Sequence, residues 1–214
     1  MAFVSGPLLA HWGLVSAMMG FGLFAVGGLL GIGALATGAL TALRGGGIGG
    51  GLAAGAVVTA VFLTLAVAGR KFPPINDITT DTENPPQFVV AGTLASDTGR
   101  EMRYAGASFA AQQHAAYPTL TPLSLPVSAD EAFKRVEAAA RRMPGWEITR
   151  VDPGARTIEG VATSRLFRFH DDFVIEVRPQ SAGSVVQMRS KSRDGKGDLG
   201  ANAARIETFF ATLR

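Results

Sequence analysis

Residues 172–210 read DFVIEVRPQSAGSVVQMRSKSRDGKGDLGANAARIETFF. Phe173, Ile175 and Val177 recur at every second position, the period of a strand with one buried face. Pro179 to Gly183 supplies turn chemistry, and Ser184 to Ser190 reads as the next strand. A connection this short joins antiparallel neighbours. Arg189, Lys191 and Arg193 then alternate, so they share one face while the chain stays extended. Gly195 and Gly197 permit a reversal. Asp198 is placed to cap a helix over Gly200 to Arg214, whose apolar face is Ile206, Phe209, Phe210 and Leu213. The stretch is therefore strand, turn, strand, charged loop and helix.

Upstream, Ser128-Ala129-Asp130-Glu131 fits a capping box. Its helix presents Ala132, Phe133, Val136, Ala139 and Ala140 on one face and ends at Pro144-Gly145. Trp146 to Val151 and Thr157 to Thr163 read as strands separated by the turn Asp152-Pro153-Gly154. The order helix, four strands, helix predicts an α+β domain: an antiparallel sheet with helices packed on one face. FAAQQHAAY, residues 109–117, reads as a short helix within a stretch, 89–117, that is otherwise hard to assign.

The first third of the chain is of another kind. Residues 1–69 contain no Asp, Glu or Lys, and Arg44 is their only Arg. Gly13 to Leu43 is an uncharged run longer than the ~20 residues that cross a bilayer. Arg44 and Gly45-Gly46-Gly47 interrupt it, and Ile48 to Gly69 forms a second run before Arg70-Lys71 and Pro73-Pro74. Neither run has a polar face, so residues 1–71 are expected to form a two-helix transmembrane hairpin. A cleaved signal is disfavoured, because the flank MAFVSGPLLAHW lacks Lys and Arg and the apolar stretch is too long. Small residues recur every fourth position: Gly27 and Gly31, then Gly47, Gly51, Gly55 and Thr59. Such a stripe lets helices approach closely, either within the hairpin or against another membrane protein.

Residues 72–88 carry two Pro-Pro pairs and read as a stiff linker, leaving 89–214 as the soluble domain. From Arg70 onward 19 basic residues face 17 acidic ones, a net of +2, so no basic field for nucleic acid is expected. With no cysteine there is no disulfide, thiol nucleophile or thiolate metal site. No cofactor motif is present, and partners are sought in the lipid bilayer or in another membrane protein.

Several blocks recur together: PPINDITTDTENPPQF, Tyr117-Pro118, GWEI at Gly145 to Ile148, FRFHDDFVIEVR at Phe167 to Arg178, and RSKSRDGKGDLGANAARIETFF. In this order they resemble the bacterial and plastid family catalogued as domain of unknown function 1499, over about residues 73–214. The resemblance implies architecture more than activity, since the family has no established reaction. Its members often carry export or lipoprotein signals or sit in thylakoids, which implies a domain outside the cytoplasm. Many have a cysteine in the leading block, where this chain has PPINDITTD. Arg70 and Lys71 against Arg44 favour a cytoplasmic domain by one charge. The resemblance outweighs that count, so the expected location is the inner (plasma) membrane, with the domain periplasmic.

Arg189, Lys191, Arg193, Asn202 and Arg205 are the candidates for contact with an anionic ligand such as a lipid headgroup. Asp171, Asp172 and Asp198 are read as a structural charge cluster, with Asp171 or Asp172 pairing Arg189 or Arg193 across strands. No catalytic or metal-binding residue is assigned. The favoured function is a membrane-anchored, non-enzymatic accessory or binding module of the cell envelope. The alternative is a hydrolase-like enzyme using His170, Asp171 and Asp172 with Arg189 and Arg193 on an anionic substrate.

Overall fold

The structure, a computed structural model, describes residues 1–45, 50–94 and 99–214. The chain divides into two compact units, Met1–Lys71 with Ser164–Phe169, and Phe72–Thr163 with His170–Arg214.

The first unit contains α1 (Ala2–His11), α2 (Ala17–Leu43) and α3 (Gly50–Gly69). α2 and α3 are both long and apolar enough to cross a membrane. α2 begins at Ser16, whose hydroxyl accepts the Met19 N–H at 3.2 Å. Large apolar side chains on both helices face outward, Leu30 at 64% and Val57 at 65% exposure among them. In water that surface would be a liability; against acyl chains it is ordinary.

Glycine sets the packing of α2 on α3. A Cβ at Gly28 would overlap the Phe62 ring, and one at Gly55 would stand 3.0 Å from the Leu35 nitrogen. Gly31 meets Val58 and Thr59. Thus Gly31, Gly55 and Thr59 serve the hairpin as the spacing suggests. Gly27 instead packs on Phe3 of α1, a helix the hydropathy pattern did not separate from its surroundings. Gly51 has open space where a side chain would be, and Gly47 lies outside the described residues. The contact also extends beyond that stripe, since Gly28 packs on Phe62 and Gly38 on Leu52.

The second unit is built on a six-stranded antiparallel sheet of order β1-β6-β5-β4-β3, with β2 also paired to β6. Its strands are β1 (Asp77–Thr79), β2 (Leu123–Leu125), β3 (Trp146–Asp152), β4 (Thr157–Thr163), β5 (His170–Gln180) and β6 (Gly183–Ser192). Helices α4 (Ala107–Ala116), α5 (Ala129–Ala140) and α6 (Ala201–Ala211) complete it. α5 and α6 lay their apolar faces on one side of the sheet. Phe133, Val136, Ile206 and Phe209 meet Phe173, Ile175, Val186 and Met188 there, in one continuous core. Trp146 stacks on both Phe173 and Phe209, at ring separations of 4.1 and 5.2 Å.

Two strands were not expected. β1 lies within residues 72–88, read above as linker, and pairs Asp77, Ile78 and Thr79 with Lys191, Ser190 and Arg189. Ile75, Asp77 and Ile78 are fully buried, so this segment is an edge of the sheet and not a spacer. Its proline pairs flank the strand without entering it, so they remove none of its hydrogen-bond donors. β2 occupies the other half of the same β6 edge. Gln113 of α4 completes β1: its side chain accepts the Thr79 N–H at 3.0 Å and donates to the Thr79 carbonyl at 2.6 Å. One half of the expected capping box of α5 is present: the Glu131 N–H donates to Ser128 Oγ at 3.3 Å, while the Glu131 carboxylate accepts from Arg135 Nε at 2.9 Å.

Candidate functional site

Side chains of β5 and β6 alternate between the two faces of the sheet, and this sorts the charged candidates into two sets. The helix-covered face receives Asp171, Ser190 and Ser192. The other receives Asp172, Arg189, Lys191 and Arg193, together with Asp77 of β1. Cross-strand register places Asp172 opposite Lys191 and Val174 opposite Arg189.

On the helix side, Arg205 of α6 pairs with Asp171 and donates to Ser190 Oγ at 2.9 Å. Asn202 is fully buried between α6 and the sheet. Its Oδ1 accepts from Ser190 Oγ at 2.7 Å, and its Nδ2 donates to Ser192 Oγ at 2.9 Å. Asp198 accepts the N–H groups of Gly200 and Asn202, each at 2.9 Å, and so caps the helix. Burial pushes the Asp198 carboxyl up from its ordinary value, while those two N–H groups pull it down. Gly200 adopts a left-handed backbone with φ +81, and a Cβ there would overlap the Phe72 ring. The turn into α6 therefore needs glycine.

On the opposite side, Arg189 grips Asp77 with two donors, Nε and Nη2, at 2.8 and 2.7 Å. Neither residue has any exposed surface. Arg189 also donates to the carbonyls of Pro86 and Met102, at 3.3 and 2.8 Å, and lies over the rings of Phe88 and Tyr104. Lys191 adds a third donor to Asp77 at 3.0 Å. Asp172 is held by Arg100 at 2.7 Å and by Arg193 at 2.6 Å. Glu159 of β4 accepts the N–H groups of Val89, Val90 and Ala91. Residues 86–91 and 100–104 are thus fastened over this face of the sheet, by backbone N–H groups donating to Glu159, by Arg189 donating to backbone carbonyls and by the Arg100–Asp172 pair.

This geometry assigns a place to each candidate. Arg189 and Asn202 are out of solvent. Lys191, Arg193 and Arg205 keep only 13%, 14% and 11% of their side-chain surface. Asp171 and Asp172, adjacent in sequence, serve opposite faces. His170 meets Thr163 Oγ1 across the β4–β5 pair at 3.0 Å. Among the described residues, no three His, Asp or Glu side chains are grouped to hold a metal ion. A recess of about 250 Å³, lined by Thr119, Leu120, Thr121, Glu207, Phe210 and Arg214, includes none of the candidates.

A family model described as protein of unknown function (DUF1499) matches residues 77–213. The chain belongs to that family. The DUF1499 span opens on Asp77, the partner of Arg189, and encloses both members of every ion pair described above. α1, α2 and α3 lie outside it. No curated protein matches the sequence.

Sequence reasoning missed Asp77 and Arg100. Asp77 stood in a proline-framed segment whose Ile78-Thr79 pair was the one sign of a strand. Arg100 lies 72 positions from Asp172, with no local periodicity to mark it. Glu159 was likewise invisible, because its acceptors serve backbone donors in an irregular segment.

Proposed function

We propose that this DUF1499 protein is a membrane-anchored, non-enzymatic binding module of the cell envelope, its domain held outside the cytoplasm by the α2–α3 hairpin. The observation that carries this reading is the engagement of the charged candidates. Asp172, a carboxylate of the hydrolase alternative, has no exposed surface and is gripped by two guanidinium groups. Hydrolysis of an anionic substrate through His170, Asp171 and Asp172 would need those groups on one accessible face, and Asp171 faces the other way, toward Arg205. What the molecule does offer is apolar surface. Gly33 and Gly51 are exposed and have open space beside them, which suits close approach by a helix of another membrane protein. Anionic lipid is the other occupant the chemistry allows.

The test is purification of the full chain in mild detergent, followed by identification of bound proteins and lipids by mass spectrometry. Gly33→Leu and Gly51→Leu variants are run beside it, since neither touches the hairpin's own contacts. A stoichiometric protein lost in these variants supports docking through the membrane. An anionic lipid retained in all of them supports the lipid arm. Turnover of an anionic ester that disappears in a folded Asp172→Asn variant would overturn the reading in favour of the hydrolase.

A further inference from the structure

Ser164–Phe169, the segment SRLFRF that joins β4 to β5, clusters with the apolar unit. It is a closed turn. The Ser164 N–H donates to the Phe169 carbonyl at 2.8 Å, the Phe169 N–H donates to Ser164 Oγ at 2.8 Å, and Arg168 holds a left-handed φ of 60. Phe167 sits edge-on against Phe21 and Phe24 of α2, at 5.5 and 5.8 Å, and Phe169 approaches Phe21 at 6.2 Å. His11, the last residue of α1, meets the Arg165 carbonyl through Nδ1 at 2.9 Å. Leu166 remains 56% exposed, and Arg165 and Arg168 are exposed as well. Among the described residues neither arginine has an ion-pair partner.

The depth of this turn follows from helix geometry. α2 has 27 residues and is about 40 Å long, matching a bilayer core together with its headgroup layers. Phe21 and Phe24 lie about 6 and 10 Å along it from Ala17. That is the boundary between headgroups and acyl chains, where aromatic side chains collect and arginines reach outward to phosphate. Trp12, 74% exposed just beyond α1, stands at the same end of α2. The turn combines the three elements such a layer selects: apolar tips, aromatic rings and unpaired cations.

We propose that Ser164–Phe169 is a second membrane contact, a turn that places Leu166 and the two phenylalanines at the acyl boundary and sets Arg165 and Arg168 on anionic headgroups. The proposal rests on the membrane reading of α2 and α3, and its test separates the two. Since the chain has no cysteine, single Leu166→Cys, Leu63→Cys and Ala182→Cys variants of the full chain can each carry one bimane label. Leu63 reports on α3 and Ala182 on the β5–β6 turn. The labelled proteins are reconstituted in phosphatidylcholine–phosphatidylglycerol vesicles containing lipid with a doxyl quencher on its acyl chain.

The expected result is strong quenching at positions 63 and 166 and little at 182. Quencher carried on phosphatidylglycerol should act on position 166 more than quencher on phosphatidylcholine. Arg165→Gln and Arg168→Gln should each cut that preference by about fivefold. Quenching at 63 with none at 166 overturns the second contact and leaves the hairpin standing. No quenching at 63 overturns both. Quenching at 166 without lipid preference, unchanged in the arginine variants, overturns the headgroup assignment.

Discussion

Arg189 and Asp77 form a two-pronged ion pair, 2.7 and 2.8 Å, with neither residue touching solvent. The pair joins the central β6 to the edge strand β1, and Arg189 extends it to the carbonyls of Pro86 and Met102. Removing one partner strands a charge in a dry interior. Asp77→Ala or Arg189→Ala is therefore expected to cost about 3–5 kcal/mol. The double variant Asp77→Leu/Arg189→Met should lose less than the two singles added together. Equilibrium denaturation of the full chain in detergent measures this; a cost near zero for either single would show that the pair contributes little to folding.

Asp172 anchors the covering segment from a different strand, through Arg100. Asp172→Asn leaves two guanidinium groups facing a neutral amide, whereas Arg193→Ala leaves Asp172 paired with Arg100. The first should destabilise the domain more than the second, and should expose sites in residues 85–91 and 100–104 to protease before the rest of the chain unfolds. Equal effects, or cleavage no faster than in the parent protein, would count against the fastening role.

The protein's two tyrosines give a pH signature. Burial, with the Asp77 charge adding, pushes the Tyr104 phenol up to about 12; burial also pushes Tyr117 up to about 12. Among the described residues neither hydroxyl has a hydrogen-bond partner. Unfolded tyrosine ionises near pH 10. Between roughly pH 10 and 12 the folded chain thus holds protons that the unfolded chain has released, so stability must fall as pH rises through that window. Absorbance at the tyrosinate band should stay flat through pH 10 and rise only near 12 or at unfolding. Tyr104→Phe should weaken the alkaline loss of stability. A reversible titration near pH 10 in the folded protein would contradict the burial.

The glycines of the apolar unit divide by what they face. Gly31→Leu would force side-chain atoms into Val58 and should loosen the α2–α3 pair, while Gly33→Leu enters open space. In detergent, the first should lower the midpoint of thermal unfolding, or the compactness of the hairpin on a denaturing gel, and the second should leave both unchanged.

The parts readable from sequence were those carried by local pattern. Alternation in Phe173–Val177, the Ser128 N-cap and the apolar face of Ile206, Phe209 and Phe210 each appear where their spacing placed them. So does the shared side of Arg189 and Lys191 on β6, which alternation placed on one face. The rest depended on long-range pairing. β1 is three residues long, and its strand character comes from β6, more than a hundred positions away. Among its described residues, the cover over the charged face has one short 3-10 turn and little other regular structure, so periodicity had nothing to detect. In the apolar unit, α1 merged into an uncharged run, and it is its packing on α2, against Gly20, Phe24 and Gly27, that separates it as a helix. Arg189 looked like an available cation for the same reason: its partner lay in a segment that composition alone describes as a spacer.

The most direct test of the membrane-anchored reading is thiol accessibility in intact cells. Leu63→Cys and Ala182→Cys variants of the cysteine-free chain are expressed in a bacterial host. A membrane-impermeant maleimide is then applied after the outer barrier is opened. Rapid labelling is expected at position 182, and none at 63 until detergent is added. Labelling of position 63 without detergent, or protection of 182 until the inner membrane is broken, would contradict that reading: the first would remove the anchor, and the second would place the domain on the cytoplasmic side.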